Sequence, residues 1–369
     1  MKRGLDAVWM RGGTSKGLFL RAEDVRAVAG DDPQARDALL ARLLGSPDPY
    51  GRQTDGVGGA TSSTSKVVLL SRSTRGDADI DYWFGQVDIA GGRIDASGNC
   101  GNLSAAVGPA ALWLGLAQPG GSTTTLRLWQ LNLQQRIDAR FALDADGRPE
   151  ERGAFAEDGV PFASVEIGLR YFEPQGGLPL LPSGRVLDRL ALPDGTTIEA
   201  TLLTAGNPSV IVRAVDLGLD ASEAAPRIDA DAELLARLEA IRAAGAVAMG
   251  LATSAEQATR DRPATPKIAW VGRGADGELS ARILSMGRLH HAFTGTGAIA
   301  LAVAARLPGS VVHEIVGDGA GELRFAHASG RMALGAELAQ RDGRWIMVAS
   351  EVRRSARRLM QGWLPLTPR

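Results

Sequence analysis

Two side chains combine the type and the setting needed to move protons. Lys66 follows the polar run TSSTS (61–65) and opens the apolar run VVLL (67–70). Cys100, the chain's one cysteine, sits in the turn GNCGN (98–102) ahead of a strongly apolar segment. Lysine is scarce: of 41 basic residues only Lys2, Lys16, Lys66 and Lys267 are lysine. Arginine cannot lose its proton, whereas a desolvated lysine shifts towards the neutral amine and serves as a base. A lone lysine at a strand edge ordinarily snorkels to water. The scarcity, and the matching place of Lys267 before a second apolar run, favour the chemical role for Lys66. A lone cysteine is ordinarily a small buried hydrophobe, but at a helix start the dipole favours its thiolate and makes it usable as an acid or base.

A glycine-rich turn that runs into an apolar helix leaves backbone N–H groups unpaired at the positive end of the helix dipole, and that is an anion site. The chain holds two such turns, at 99–102 and 294–297. Two halves can face them across a cleft, and a substrate with two or more carboxylates is the natural guest. Arg11, Thr14, Ser15 and Lys16, with Ser285, Met286 and Arg288 opposite, are the carboxylate-binding candidates. Ser65, Asn99, Gly101, Asn102, Thr294, Gly295 and Thr296 complete the candidate site. Lys16 fits a solvated turn residue equally well.

These residues need elements to hold them. VWMRGGTSKGLFLRAEDV (8–25) reads as strand, glycine turn, strand. Asp32 caps a helix with Pro33 in its first turn, Leu39, Leu40, Leu43 and Leu44 on one face and Gly45 past its end. SKVVLLSR and DIDYWFGQVDI read as strands. A helix over 103–116, apolar all round, belongs in the middle of something, and Gly108-Pro109 should kink it. Four segments recur in order: LRAEDV (from 20) as VRAVDL (from 212), ALLARLL (from 38) as ELLARLE (from 233), TSKVVLL (from 64) as TPKIAWV (from 265), and CGNLSAAVGPAA (from 100) as TGTGAIALAVAA (from 294). The offsets, 192, 195, 201 and 194 residues, are nearly constant. Two homologous halves, 1–184 and 185–369, are therefore predicted, joined near the Pro/Gly-rich stretch 174–184. The second half repeats a strand up to His291, a turn FTGTG and an apolar helix over 298–306. The predicted fold class is α/β (α+β), each half a mixed, mostly antiparallel sheet wrapped around one central helix.

Composition removes other function classes. With 369 residues, 44% apolar and 22% charged, the chain can bury a sizeable core. Its 41 basic and 42 acidic residues form no basic stripe, so nucleic acid has nothing to grip. The longest apolar run, 105–117, has 13 residues, short of the ~18 to 20 of a membrane span, and MKRGLDAVWM lacks an export core. A soluble, cytoplasmic protein is expected. One cysteine excludes an internal disulfide and a Cys-based zinc site, and His290, His291, His313 and His327 show no HExxH spacing, so no metal is expected. Homodimerisation is left open.

Three generic motifs compete. Gly13 to Gly17 fits GxSxG, but a nucleophile elbow must run into a helix and LFLRA reads as strand. Ser63 to Lys66 fits SxxK, yet VVLL continues as strand where a helix is required. Gly295-Thr296-Gly297 with Ala300 fits a dinucleotide fingerprint, with Glu314 as a ribose acid. Against it, the same element recurs as CGNLSA without the fingerprint.

The two turns resemble the paired active-site turns of the diaminopimelate epimerase fold. Epimerases and racemases of that fold carry a cysteine in both turns; this chain has Thr294 in the second, which excludes two-thiol racemisation. RGGTSKG (11–17), DPYGRQTDGVGGATSSTSKVV (48–68), ASGNCGNLSAAVGP (96–109), GNP (206–208), PK (266–267), SMGRLHHAFTGTGA (285–298) and RRSARRLMQG (353–362) resemble, end to end, the signatures of the PrpF family of that fold. The resemblance implies a cofactor-free isomerase whose catalytic pair falls on Lys66 and Cys100. The residues suit a 1,3-proton shift in an unsaturated di- or tricarboxylate, with Lys66 as base and Cys100 as acid; one orientation of the substrate reverses the two roles, and the sequence leaves open which residue starts. Family substrates are methylaconitate of propionate catabolism, methylitaconate, and 4-oxalomesaconate of aromatic and lignin-derived breakdown. The look of the chain favours 4-oxalomesaconate, with methylaconitate second. A non-catalytic helper of another enzyme is the remaining alternative.

Overall fold

The computed structural model describes residues 4–175, 177–275, 277–319 and 321–366. The chain divides into two compact units, one up to Arg170 together with the segment from Arg353 on, the other Tyr171–Val352. These bounds depart from the halves 1–184 and 185–369: the end of the chain joins the first unit, because its last strand runs along the first.

The first unit begins with β1 (Gly4–Gly12) and β2 (Ser15–Arg21), followed by α1 (Ala22–Ala29) and α2 (Pro33–Leu44). Then come β3 (Lys66–Arg72), β4 (Ile80–Val87), β5 (Ile94–Asp95), α3 (Gly101–Trp113), β6 (Thr123–Gln130), β7 (Gln135–Ala142) and β8 (Val165–Phe172). The sheet is mixed. β1–β2, β3–β4 and β6–β7 pair antiparallel, while β2–β3 and β4–β6 pair parallel. The pleat sends alternate residues to opposite faces. On one face Leu18, Leu20, Val67 and Leu69 form a core with Leu40 and Leu44 of α2. The other face receives α3, which packs on β1, β2, β6 and β7 and buries every residue over 101–111.

Helix α2 is built as its sequence requires: Asp32 Oδ1 accepts from Gln34 N at 2.9 Å, Pro33 opens the helix, and Gly45 at φ 83° closes it. The stretch after Leu20, predicted as strand, turns instead into α1. Glu23 and Asp24 occupy its first turn, where carboxylates complement the dipole, and Arg21 Nε reaches Asp24 Oδ2 at 2.7 Å. α3 runs through Pro109. A Cβ on Gly108 would lie 2.6 Å from Phe141 Cε1, so glycine there lets β7 close on the helix.

The second unit contains β9 (Asp188–Ala191), β10 (Thr197–Leu203), β11 (Ser209–Arg213), α4 (Ala225–Asp229), α5 (Ala232–Ala248), α6 (Ala255–Asp261), β12 (Lys267–Arg273), β13 (Leu279–Ser285) and β14 (Arg288–Leu289). It continues with α7 (Gly295–Ala304), α8 (Val311–Val316), β15 (Leu323–His327), β16 (Gly330–Arg341) and the first part of the long β17 (Arg344–Pro365), whose stretch from Arg353 on belongs to the first unit. β10–β11, β12–β13 and β15–β16 are antiparallel, and β11–β12 and β13–β15 parallel. This order of pairing senses repeats that of β1, β2, β3, β4, β6 and β7, and α7 packs on β10, β11 and β16. The internal repeat is thus a repeat of topology as well as of letters. β17 pairs antiparallel with β16 over its first stretch and with β1 over its last.

Both central helices start earlier than predicted, α3 at Gly101 rather than 103 and α7 at Gly295 rather than 298. Their ends move too, to Trp113 and Ala304 from 116 and 306. The glycine-rich turns are therefore the first helical turns, and Cys100 and Thr294 are the N-cap residues.

Candidate active site

In the first unit the β1–β2 turn lies on the start of α3. The approach is close: a Cβ on Gly12 would lie 2.6 Å from Asn102 O, and one on Gly13, at φ 50°, 2.9 Å from Asn102 Oδ1. Only glycine tolerates both. The contact brings Thr14 Oγ1 to 3.0 Å from Asn102 Nδ2 and Ser15 Oγ to 3.9 Å from Cys100 Sγ. Cys100 is half-buried, extended at φ −103° and ψ 96°, and its side chain makes no capping bond to its own helix. The first helical bond runs from Ser104 N to Cys100 O. The Cys100 side chain thus leaves the amides of Asn102 and Leu103 uncapped, and among the described residues Asn102 Oδ1 is buried without a hydrogen-bond partner.

Behind the cysteine, Tyr82 Oη, Ser104 Oγ and Asn99 Nδ2 form a closed set of hydrogen bonds of 2.9 to 3.1 Å. Ser104 Oγ also donates to Cys100 O at 3.2 Å. This set fixes the backbone that carries the thiol.

Lys66 opens β3 on the same face as α3. It is buried, 6% exposed, and its Nζ donates to Gln86 Oε1 at 2.5 Å and lies 5.3 Å from the centroid of the Phe84 ring. Burial pushes its pKa below the ordinary lysine value, partly offset by the charge of a Cys100 thiolate. A buried lysine whose pKa is lowered gives up its proton more readily than an exposed one.

The other candidates in this unit divide into two sets. Thr14, Ser15, Asn99, Gly101 and Asn102 gather around Cys100. Arg11 turns back into the fold: its Nη1 donates to Gly13 O at 2.9 Å, Ser355 Oγ at 2.9 Å and Ser355 O at 3.2 Å. Ser355 in turn is held by the buried Glu157, which also pairs with Arg354 Nη1 at 2.9 Å. Arg11 thereby supports the turn. Ser65 Oγ is committed to Gln53 Oε1 at 2.7 Å. Lys16, one residue after Ser15, projects from the opposite face of the sheet, with its Nζ 5.8 Å from the Trp9 ring. The structure does not bring it together with Lys66 and Cys100.

In the second unit Thr294 caps α7, its Oγ1 accepting from Gly297 N at 3.1 Å. Gly295 and Thr296 are buried in the first turn. Gly206, at φ 72°, approaches Thr296 as Gly12 and Gly13 approach Asn102; a Cβ there would lie 2.8 Å from Thr296 O. Ser285 is buried at the end of β13 and Met286, at φ 53°, forms the turn into β14. Arg288 is exposed and bonds Asp229 O at 3.2 Å. Lys267 opens β12 and is buried, as Lys66 is in β3.

Sequence reasoning missed Gln86, Gln53 and Glu157. Gln86 carried a signal: Ile80, Tyr82 and Phe84 alternate towards α3, and a glutamine in the next inward place interrupts an apolar face. Glu157 carried none, since it lies in a loop and finds its partner, Arg354, 197 residues away.

A family model described as PrpF protein matches residues 1–367. A 2-methyl-aconitate isomerase of Cupriavidus necator is 43% identical over 98% of this chain and 96% of its own. A (4E)-oxalomesaconate Delta-isomerase of Novosphingobium sp. (strain KA1) is 35% identical over 96% and 95%. Among solved structures, a methylitaconate-delta-isomerase superposes with a TM-score of 0.74 at 33% identity, covering 98% of this chain and 95% of that one. A hydroxyproline epimerase from Agrobacterium vitis shares the fold, at TM-score 0.60 and 15% identity over 100% and 95%. The predicted fold class thus holds, and the chain, an isomerase, belongs to the PrpF family.

Proposed function

We propose that this protein moves a carbon–carbon double bond in an unsaturated tricarboxylate by a cofactor-free 1,3-proton shift, and that its substrate is 2-methylaconitate. The observation that carries the chemistry is Lys66, buried, depressed in pKa and within reach of the charge of Cys100. The neutral Lys66 amine takes an allylic proton, acidified by a conjugated carboxylate, and becomes an ammonium. The dienolate is held by preorganised donors, the uncapped amides at the start of α3. Cys100 delivers a proton to the far carbon and becomes a thiolate. The resulting ammonium and thiolate stabilise each other, and a proton passed from one to the other, directly or through water, restores the starting state.

For the substrate, the relative at 43% identity is a 2-methyl-aconitate isomerase, against 35% for the one acting on oxalomesaconate. The order expected from the sequence is thereby reversed, and 4-oxalomesaconate becomes the second reading. Purified protein, dialysed and without added cofactor, should be given each compound in turn. A kcat/KM about tenfold or more higher for 2-methylaconitate is expected. A preference for 4-oxalomesaconate would install the second reading, and inertness towards both would overturn the isomerase mechanism.

A further inference from the structure

Gln86, on β4, is the cross-strand neighbour of Lys66 on β3. In the register of β3, β4 and β5, Lys66 is opposite Gln86 and Gln86 opposite Asp95, so the three side chains share one face. Gln86 is buried, 3% exposed. Its amide is oriented at both ends: Nε2 donates to Ser65 O at 3.1 Å, which turns Oε1 to Lys66 Nζ at 2.5 Å. Ser65 O also accepts from Val87 N at 3.0 Å, so the anchor is part of the sheet ladder.

We propose that Gln86 is the positioning residue of the base. A neutral acceptor in this place takes one N–H of Lys66 and so aims the amine's lone pair, without supplying the negative charge that would keep the lysine protonated. This rests on the reading of Lys66 as the base. A carboxylate in the same place would hold the ammonium, and an apolar side chain would leave the amine unaimed. Among the described residues, Cys100 at the start of α3 acts on Lys66 through its charge, and the buried Asp95 on β5 lies on the same sheet face one strand beyond Gln86. Asp95 Oδ1 accepts from Ser97 N at 2.8 Å. Gln86 is interposed between that carboxylate and the lysine.

The test uses the scarcity of lysine. In protein labelled with carbon-13 lysine only four side chains report, and the Lys66 signal is the one missing from Lys66→Met. Its titration and the pH profile of kcat/KM are followed in wild type, Gln86→Glu and Gln86→Met. Gln86→Glu should raise the Lys66 midpoint by about 1 to 3 pH units, as an adjacent carboxylate does, and move the acidic limb of kcat/KM upward by the same amount. Gln86→Met removes a hydrogen bond to the charged form, so the midpoint should fall, while kcat drops and KM stays within about twofold. A merely structural glutamine would not produce shifts of opposite sign. A Lys66 midpoint unmoved in both variants would overturn the proposal. A midpoint that moves while the kcat/KM limb stays fixed would instead overturn Lys66 as the base, and with it the positioning role.

Discussion

The starts of α3 and α7 are the same structure put to different uses. Each is approached by a turn whose glycine lies against the helix, each heads a helix apolar on all sides, and each is flanked by a strand opening with a buried lysine. At α7, Thr294 gives its hydroxyl to Gly297 N and caps the helix. At α3, Cys100 makes no such bond, and its sulfur lies 3.9 Å from Ser15 Oγ instead. A missing cap costs a helix about 1 kcal/mol. The first unit thus gives up local stability at the N-cap whose side chain the proposed mechanism needs free for proton transfer, while the second keeps its cap.

The largest expected effect is on turnover. Lys66→Met should lower kcat by about 10²- to 10⁴-fold, the usual contribution of a positioned base, and should raise the melting temperature. The sign follows from linkage: a buried ammonium is penalised in the folded state only, fully so below its folded pKa, and the penalty fades as pH climbs towards the ordinary value of 10.5. The stability gain of Lys66→Met, followed by thermal unfolding, should therefore shrink across that interval. In wild type, kcat/KM should fall as pH drops through the folded pKa of Lys66, because the base is then protonated.

Cys100→Ser sharpens the contrast. Its turnover should drop by about 10²-fold, since an alcohol is a poorer acid than a thiol, yet denaturant titration should show a gain of about 0.5 to 1 kcal/mol, because serine caps a helix. Next, Gly12→Ala should cut kcat by about tenfold or more, as the turn lifts away from Asn102 and displaces Thr14 and Ser15. The matched change Gly206→Ala should act on KM, since it disturbs Thr296 and no proton-transfer group. The smallest effect is Thr294→Ala, a loss of about 0.5 to 2 kcal/mol by denaturant titration, against almost none for Cys100→Ala.

The strands, α2 and the repeat could be read from pattern because each is local: alternation, a capping Asp32 and a closing Gly45 all act within a few residues. Lys66 and Cys100 stood out through rarity and place. What could not be read depends on distance. Whether Ser15 or Lys16 faces the helix is decided by the phase of the pleat, which a start at Ser15 sets. Ser65 has the type of a binding residue, and only the fold shows that Gln53 occupies its hydroxyl. Arg11 likewise looks like a carboxylate clamp until Ser355, 344 residues on, is placed beside it. The helix starts were misjudged because glycines in a first turn resemble a loop; the close approach itself rests on Gly12, Gly13 and Gly206 in the turns that lie against the helices.

The central claim, a base on one side and an acid on the other, is tested most directly by proton NMR of Cys100→Ser with 2-methylaconitate in deuterated buffer, with Lys66→Met alongside. The account expects Cys100→Ser to wash the abstracted allylic proton out of the substrate faster than it moves the double bond, and Lys66→Met to do neither. Proton exchange or isomerisation by Lys66→Met at the wild-type rate would contradict it.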